Sequence, residues 1–108
     1  CASHFKLDNL KVVLDLNSYQ QTGSTSHIMN TNDMSKKWES FNWDVQSIDG
    51  HSTKEIYEKL TNKKNDKPKI LIAKTTKGKG ISFIENDNQW HHNILTKQKY
   101  EQALKELA

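Results

Sequence analysis

The sequence predicts an α/β fold: a parallel sheet with flanking helices. Three observations carry this reading. Short apolar runs recur at Lys11–Leu16, Trp43–Ile48 and Lys69–Ala73. Stretches with helical spacing and capping signals separate them. Strands that alternate with helices imply right-handed crossovers and parallel pairing.

Cys1 to Lys6 reads as the last turn of a helix, and Leu7-Asp8-Asn9-Leu10 as the turn out of it. Lys11–Leu16 is the first strand, and its apolar run predicts cover on both faces. Asn17 follows directly. A carboxamide at a strand's carboxyl end is a ready turn former. It is also an oxygen donor of the kind Mg²⁺ prefers, commonly together with a phosphate. Spacing alone favours the turn. Residues 22–32, rich in Ser, Thr and Asn, read as a surface loop.

Asn32 or Asp33 caps the next helix, where Met34, Trp38 and Phe41 form one stripe, and Asn42 ends it. Trp43–Ile48 alternates only partly, which predicts a strand nearer a sheet edge. Asp49-Gly50-His51 is a turn, with His51 a solvated or locally hydrogen-bonded loop histidine. Ser52-Thr53-Lys54-Glu55 forms a capping box. It opens a helix whose buried stripe is Ile56, Tyr57 and Leu60. Asn62 to Lys67 is a solvated, charged connection.

The run from Lys69 to Gly80 organises the rest. Four apolar residues after Lys69 predict a strand covered on both faces. It runs into Thr75-Thr76-Lys77-Gly78-Lys79-Gly80. Glycines permit positive φ or close backbone approach, and exposed N–H groups there bind anions. The segment is therefore either a phosphate-facing loop or an ordinary lysine-rich turn. It is not a Walker pattern. Ile81-Ser82-Phe83-Ile84 packs beside the ligand-facing end. Trp90-His91-His92 follows, and adjacent histidines usually diverge, so one at most is expected to face a site. Thr96 caps a last helix with Tyr100, Ala103, Leu104 and Leu107 on one stripe.

Three strands are few for a parallel sheet. The apolar share is 33%, below the roughly 45–50% of ordinary domains. A patterned but sparse core predicts a piece of something larger, and a first residue of Cys1 rather than Met agrees. All 16 basic residues are lysine, interspersed with 13 carboxylates. That argues against a nucleic-acid partner, which calls for clustered Lys and Arg. One cysteine permits no internal disulfide and predicts a reducing cytoplasm. No apolar run approaches the roughly 18–20 residues of a membrane span, so no membrane partner is expected.

In this order, the motifs resemble the later part of the pyrophosphate-binding domain of transketolase, closest to the short N-terminal subunit form. They are Leu7 to Leu10, Asp15 to Gly23, Lys37 to Val45, Ile48 to His51, Lys69 to Gly80, Ser82-Phe83 and Trp90-His91. The resemblance implies a thiamine diphosphate-binding fold and an enzyme using thiamine diphosphate and Mg²⁺. Such an enzyme moves a two-carbon ketol unit between sugar phosphates. Asn17 matches the asparagine that closes the family's metal motif. Its side-chain oxygen and the Tyr19 carbonyl would ligate Mg²⁺. His91 matches a histidine near diphosphate and substrate, with a catalytic or phosphate-binding role. Lys77 lies where a cation can reach the diphosphate or the subunit contact.

The family's Gly-Asp-Gly half, with the charged metal ligand, does not occur among these residues, nor does the glutamate that activates the cofactor. The expectation is a partial domain over residues 1–108, inactive alone. The remaining transketolase domains or a C-terminal subunit would complete it in a homo-oligomer or hetero-oligomer. His92 stands where the family usually has glycine. Alternatives are a synthase that joins pyruvate to a triose phosphate, an acyl-forming dehydrogenase component, or a non-catalytic truncated domain. The Trp90-His91 context favours transketolase.

Overall fold

In chain order the elements are β1 (Lys11–Leu16), β2 (Tyr19–Gln20), β3 (Gly23–Ser24), α1 (Thr25–Ile28), α2 (Met34–Ser40), β4 (Asp44–Asp49), α3 (Thr53–Thr61), β5 (Lys69–Lys74), a 3₁₀ turn (Asn88–His91) and α4 (Lys97–Leu107). They come from a computed structural model that describes residues 1–62 and 66–108. The chain divides into two compact units. One comprises Cys1–Leu16 and Thr31–Thr75, the other Asn17–Asn30 and Thr76–Ala108.

The first unit is a three-stranded parallel sheet in the order β1-β5-β4. Its centre, β5, is buried from Lys69 through Ala73, as the continuous apolar run requires. Leu71 and Ala73 share a core with Ile48, against which Ile56 and Leu60 of α3 pack. β1 departs from expectation. Lys11, Val13 and Asp15 are exposed, Val13 at 51%. Successive side chains point to opposite faces, so this alternation means that one face of β1 is left uncovered among the described residues. β1 and β4 are the two edges of the sheet, for β4 in line with its partial alternation.

Both helices of this unit begin as their caps predict. The Asp33 carboxylate accepts from Lys36 N–H at 3.2 Å. Asn42, at φ 63°, ends the helical segment. Ser52 Oγ accepts from Glu55 N–H at 3.2 Å. The Glu55 carboxylate, however, reaches Asp49 N–H at 3.0 Å, so its bond helps fix the β4–α3 turn. Tyr57 is 70% exposed and leaves the predicted stripe. Ile56 and Leu60, one turn apart, cover the core, and Tyr57 points about 100° around the helix from Ile56.

Lys69 is a buried cation at 5% exposure. Its ammonium donates to the Lys59 carbonyl at 2.9 Å and to the Asn62 carbonyl, and lies 4.0 Å from the Asp44 carboxylate. It thus closes the carboxyl end of α3, where carbonyls lack helical partners. Of the predicted charged connection, residues 63–65 lie outside the described residues. Asp66 pairs with Lys6 on the surface at 3.2 Å.

The second unit opens with a hairpin pairing Tyr19 with Ser24 and Gln20 with Gly23, followed by the single turn α1. Residues 22–32 are therefore not all loop: two-residue strands carry too little alternation to be read in sequence. Thr96 Oγ1 accepts from Lys99 N–H at 3.3 Å and starts α4 as expected. Of its apolar stripe only Ala103 is buried, and Tyr100, Leu104 and Leu107 remain exposed. Among the described residues no helix is long and apolar enough to cross a membrane.

Candidate functional site

All four residues singled out for cofactor or catalysis, Asn17, Tyr19, Lys77 and His91, belong to the second unit. Asn17 Oδ1 accepts from Tyr19 N–H at 2.9 Å, an Asx turn. Between them Ser18 takes φ 65°. Its carbonyl accepts Thr25 N–H at 2.9 Å and the Thr25 hydroxyl at 3.3 Å, closing the base of the hairpin. The carboxamide therefore does perform the turn role that spacing favoured. That use is compatible in kind with metal binding, because a carbonyl oxygen has two lone-pair sites.

Tyr19 is tied to the Lys77 loop through Asn86. The Tyr19 hydroxyl donates to the Asn86 carbonyl at 2.7 Å, and Asn86 N–H donates to the Lys77 carbonyl at 2.9 Å. Asn88 adds a bond from its side-chain amide to the Gln21 carbonyl at 3.1 Å. Asn86 sits at φ 56°, a conformation asparagine tolerates better than most residues. Sequence reasoning passed over Asn86 and Asn88. The available signal was the Asn86-Asp87-Asn88 cluster, typical of turn chemistry.

In the lysine-rich loop, Gly78 and Gly80 take φ 74° and 97°. Gly80 N–H donates to the Glu85 carboxylate at 3.0 Å, and Lys79 N–H to the Thr76 carbonyl at 3.2 Å. Those two N–H groups are satisfied within the protein, as in an ordinary turn. Lys77 is half-buried.

His91 ends the 3₁₀ turn, which Asp87 caps by accepting Gln89 N–H at 2.9 Å. Its ring meets that of His92 edge to face, centroids 4.7 Å apart. Both rings line an open cleft of about 600 Å³ with Trp90, Asn93 and Ile94. Adjacent histidines usually diverge, yet here both rings border the same cleft. At His92 (φ −137°, ψ 85°) the chain leaves the 3₁₀ turn, and the change of path lets the two rings meet. That negative φ also accommodates a side chain where the family usually has glycine. His51 lies in the first unit, exposed, with its N–H donating to Asp49 Oδ1 at 2.9 Å. This is the local turn role expected of it.

Asn17 Oδ1 and the Tyr19 carbonyl are hard, neutral oxygens of the kind Mg²⁺ takes. Among the described residues, no three His, Cys, Asp or Glu side chains gather to hold a metal. Nearby, Gln20 Nε2 and Asn88 Oδ1 are buried without a protein hydrogen-bond partner. Such spare polar capacity is what a bound polar group or water satisfies.

The family described as "Transketolase, thiamine diphosphate binding domain" matches residues 1–108. The chain belongs to this family. It is 37% identical over 108 residues to an apulose-4-phosphate transketolase subunit of Phocaeicola vulgatus, covering 98% of this chain and 38% of that protein. Transketolase of Homo sapiens is 36% identical over 106 residues, covering 98% and 17% respectively. The crystal structure of transketolase from Campylobacter jejuni superposes with a TM-score of 0.87 at 32% identity, over 98% of this chain and 17% of that one. The transketolase resemblance and the parallel α/β fold therefore hold. The chain spans roughly two-fifths of the apulose-4-phosphate transketolase subunit and a sixth of the longer transketolases.

Proposed function

We propose that this chain forms the later part of the pyrophosphate-binding domain of a transketolase-type enzyme. In this reading the enzyme uses thiamine diphosphate and Mg²⁺ to move a two-carbon ketol unit between sugar phosphates. One observation carries the proposal beyond family membership: Asn17, Tyr19 and Lys77 are tied together through Tyr19–Asn86–Lys77 bonds. Asn17 Oδ1 and the Tyr19 carbonyl hold Mg²⁺, and the Lys77 ammonium offsets diphosphate charge. His91 donates to a phosphate oxygen or transfers a substrate proton from the cleft. Bound thiamine diphosphate supplies the carbanion-stabilising chemistry, while the protein binds and orients. A carboxylate metal ligand comes from other segments or a second chain, consistent with relatives that are named as single subunits of a transketolase. The working enzyme is a cytoplasmic oligomer.

The test is thiamine diphosphate affinity, titrated with Mg²⁺ on the full-length gene product that carries this chain. Asn17→Ala is expected to weaken binding at least about tenfold, the change equivalent to ~1.4 kcal/mol. Asn17→Asp, which keeps both the turn and an oxygen ligand, retains most of it. An unchanged affinity in a folded Asn17→Ala variant refutes the metal role. Appreciable ketol transfer by residues 1–108 alone refutes the dependence on other segments.

A further inference from the structure

Lys99 differs from its neighbours on α4. Lys97 and Lys105 are exposed, whereas Lys99 is half-buried. Its ammonium lies 4.1 Å from the Phe83 ring centroid and 5.5 Å from that of Trp90. Those rings meet edge to face at 5.3 Å. All three side chains line one cavity of about 320 Å³, with Asp87, Gln89 and Thr96 also in its wall. At these distances the ring quadrupoles attract the ammonium, and the Glu106 carboxylate on the same helix attracts it as well.

The surroundings hold this arrangement at both ends. Thr96 accepts from Lys99's own N–H at 3.3 Å, fixing the first turn of α4. Asp87 accepts from Gln89 N–H at 2.9 Å, fixing the turn that carries Trp90. Trp90 immediately precedes His91 in that same 3₁₀ turn. A force that fixes the indole therefore also fixes the backbone from which the imidazole projects.

We propose that Lys99 is a positioning residue: by clamping Trp90 and Phe83 it sets the orientation of His91 in the open cleft. Its effect on activity rests on the role given above to His91, whereas its effect on imidazole placement does not. If Lys99 merely covered the aromatics, its replacement by another covering side chain would leave His91 where it is.

The experiment records imidazole ¹H–¹⁵N spectra of the full-length gene product, with the His91 signal identified by its loss in His91→Gln. Lys99→Met keeps length and apolar cover but removes the cation. It is expected to move the His91 and His92 signals and leave those of His4, His27 and His51. Lys99→Arg, which restores a cation over the rings, returns them. In the holoenzyme, kcat/KM falls about two- to fivefold in Lys99→Met, the size of an exposed cation–π contact, and recovers in Lys99→Arg. Lys99→Gln gives the same comparison if the methionine variant aggregates. An unmoved His91 signal in a folded Lys99→Met or Lys99→Gln protein overturns the proposal, as does an arginine variant no better than methionine. Signals that move while kcat/KM stays constant support the clamp and remove the role of His91.

Discussion

β5 and the segment from Thr76 to His91 are nearly adjacent in sequence and are built by opposite means. β5 has ladders on both sides and five consecutive buried residues. The later segment has no strand. It is held by turn bonds, by left-handed backbone at Gly78, Gly80 and Asn86, and by side chains bonding to main chain. Burial is non-directional and tolerant of small shifts, while hydrogen bonds and φ > 0 positions demand one geometry. The difference teaches that this protein separates stiffness from placement. The sheet supplies the first, and the turns that carry Lys77 and His91 supply the second.

The strongest way to break the comparison is to hollow out β5. Leu71 is fully buried against Ile48, Ala73, Ile56 and Leu60. Leu71→Ala is expected to cost about 2–5 kcal/mol in a urea melt of the full-length product. That is a large share of an ordinary domain's stability. A loss below about 1 kcal/mol would mean that β5 is not the centre of a packed core.

The corresponding change in the turns is Gly78→Ala. An added Cβ would lie 2.5 Å from Ile84 Cγ2 and 2.8 Å from the Ile84 carbonyl carbon and oxygen, at a positive φ. Overpacking of this kind costs about 1–3 kcal/mol. Its expected signature is local. Amide exchange should accelerate from Thr76 to His91 while β5 amides keep their protection. A milder probe is Tyr19→Phe, which removes the 2.7 Å bond to the Asn86 carbonyl. It should cost about 0.5–1.5 kcal/mol and loosen the same amides. Uniform loss of protection throughout the chain would contradict the division of labour.

The same division governs what could be read from sequence. β1 and β5, the Asp33, Ser52 and Thr96 caps and the Asn42 stop rest on local chemistry: an apolar run, a hydroxyl or carboxylate before a helix, an asparagine after one. The cover over β1 is not local. Val13 is as apolar as Ile70, and what packs over each strand's faces, not the residue itself, leaves one exposed and the other buried. Lys69 reads as a strand boundary, yet tertiary structure turns it into a buried cap for α3. Asn17 was legible as a turn and as a family metal position, and its Asx bond bears out the first. The partners that tie it to Lys77 run through Asn86, far along the chain, and no periodicity marks such a pairing. The meeting of His91 and His92 likewise depends on where a short 3₁₀ turn ends.

The smallest expected effect separates two carboxylates, one in each unit. Glu106 accepts Ser82 N–H at 2.6 Å, Gln102 Nε2 at 2.8 Å and the Ser82 hydroxyl at 2.9 Å. The Ser82 N–H, then the Gln102 amide and the Ser82 hydroxyl, hold its pKa below the ordinary 4.5. Asp66 is held below its ordinary 3.8 first by its hydrogen bond with Lys6. Both folded values are depressed, so each contribution is present above the unfolded pKa and is lost as pH falls through the folded one. The donors differ, and salt tells them apart. Exposed charge pairs are screened, so added salt should raise the Asp66 titration midpoint toward 3.8. Glu106, held mainly by neutral donors, should move less. The Ser82 amide shift, followed from neutral pH to pH ~2, reports Glu106, and Glu106→Gln should abolish its titration. Equal salt shifts at both sites would mean that charge, rather than turn hydrogen bonding, fixes α4 to Ser82.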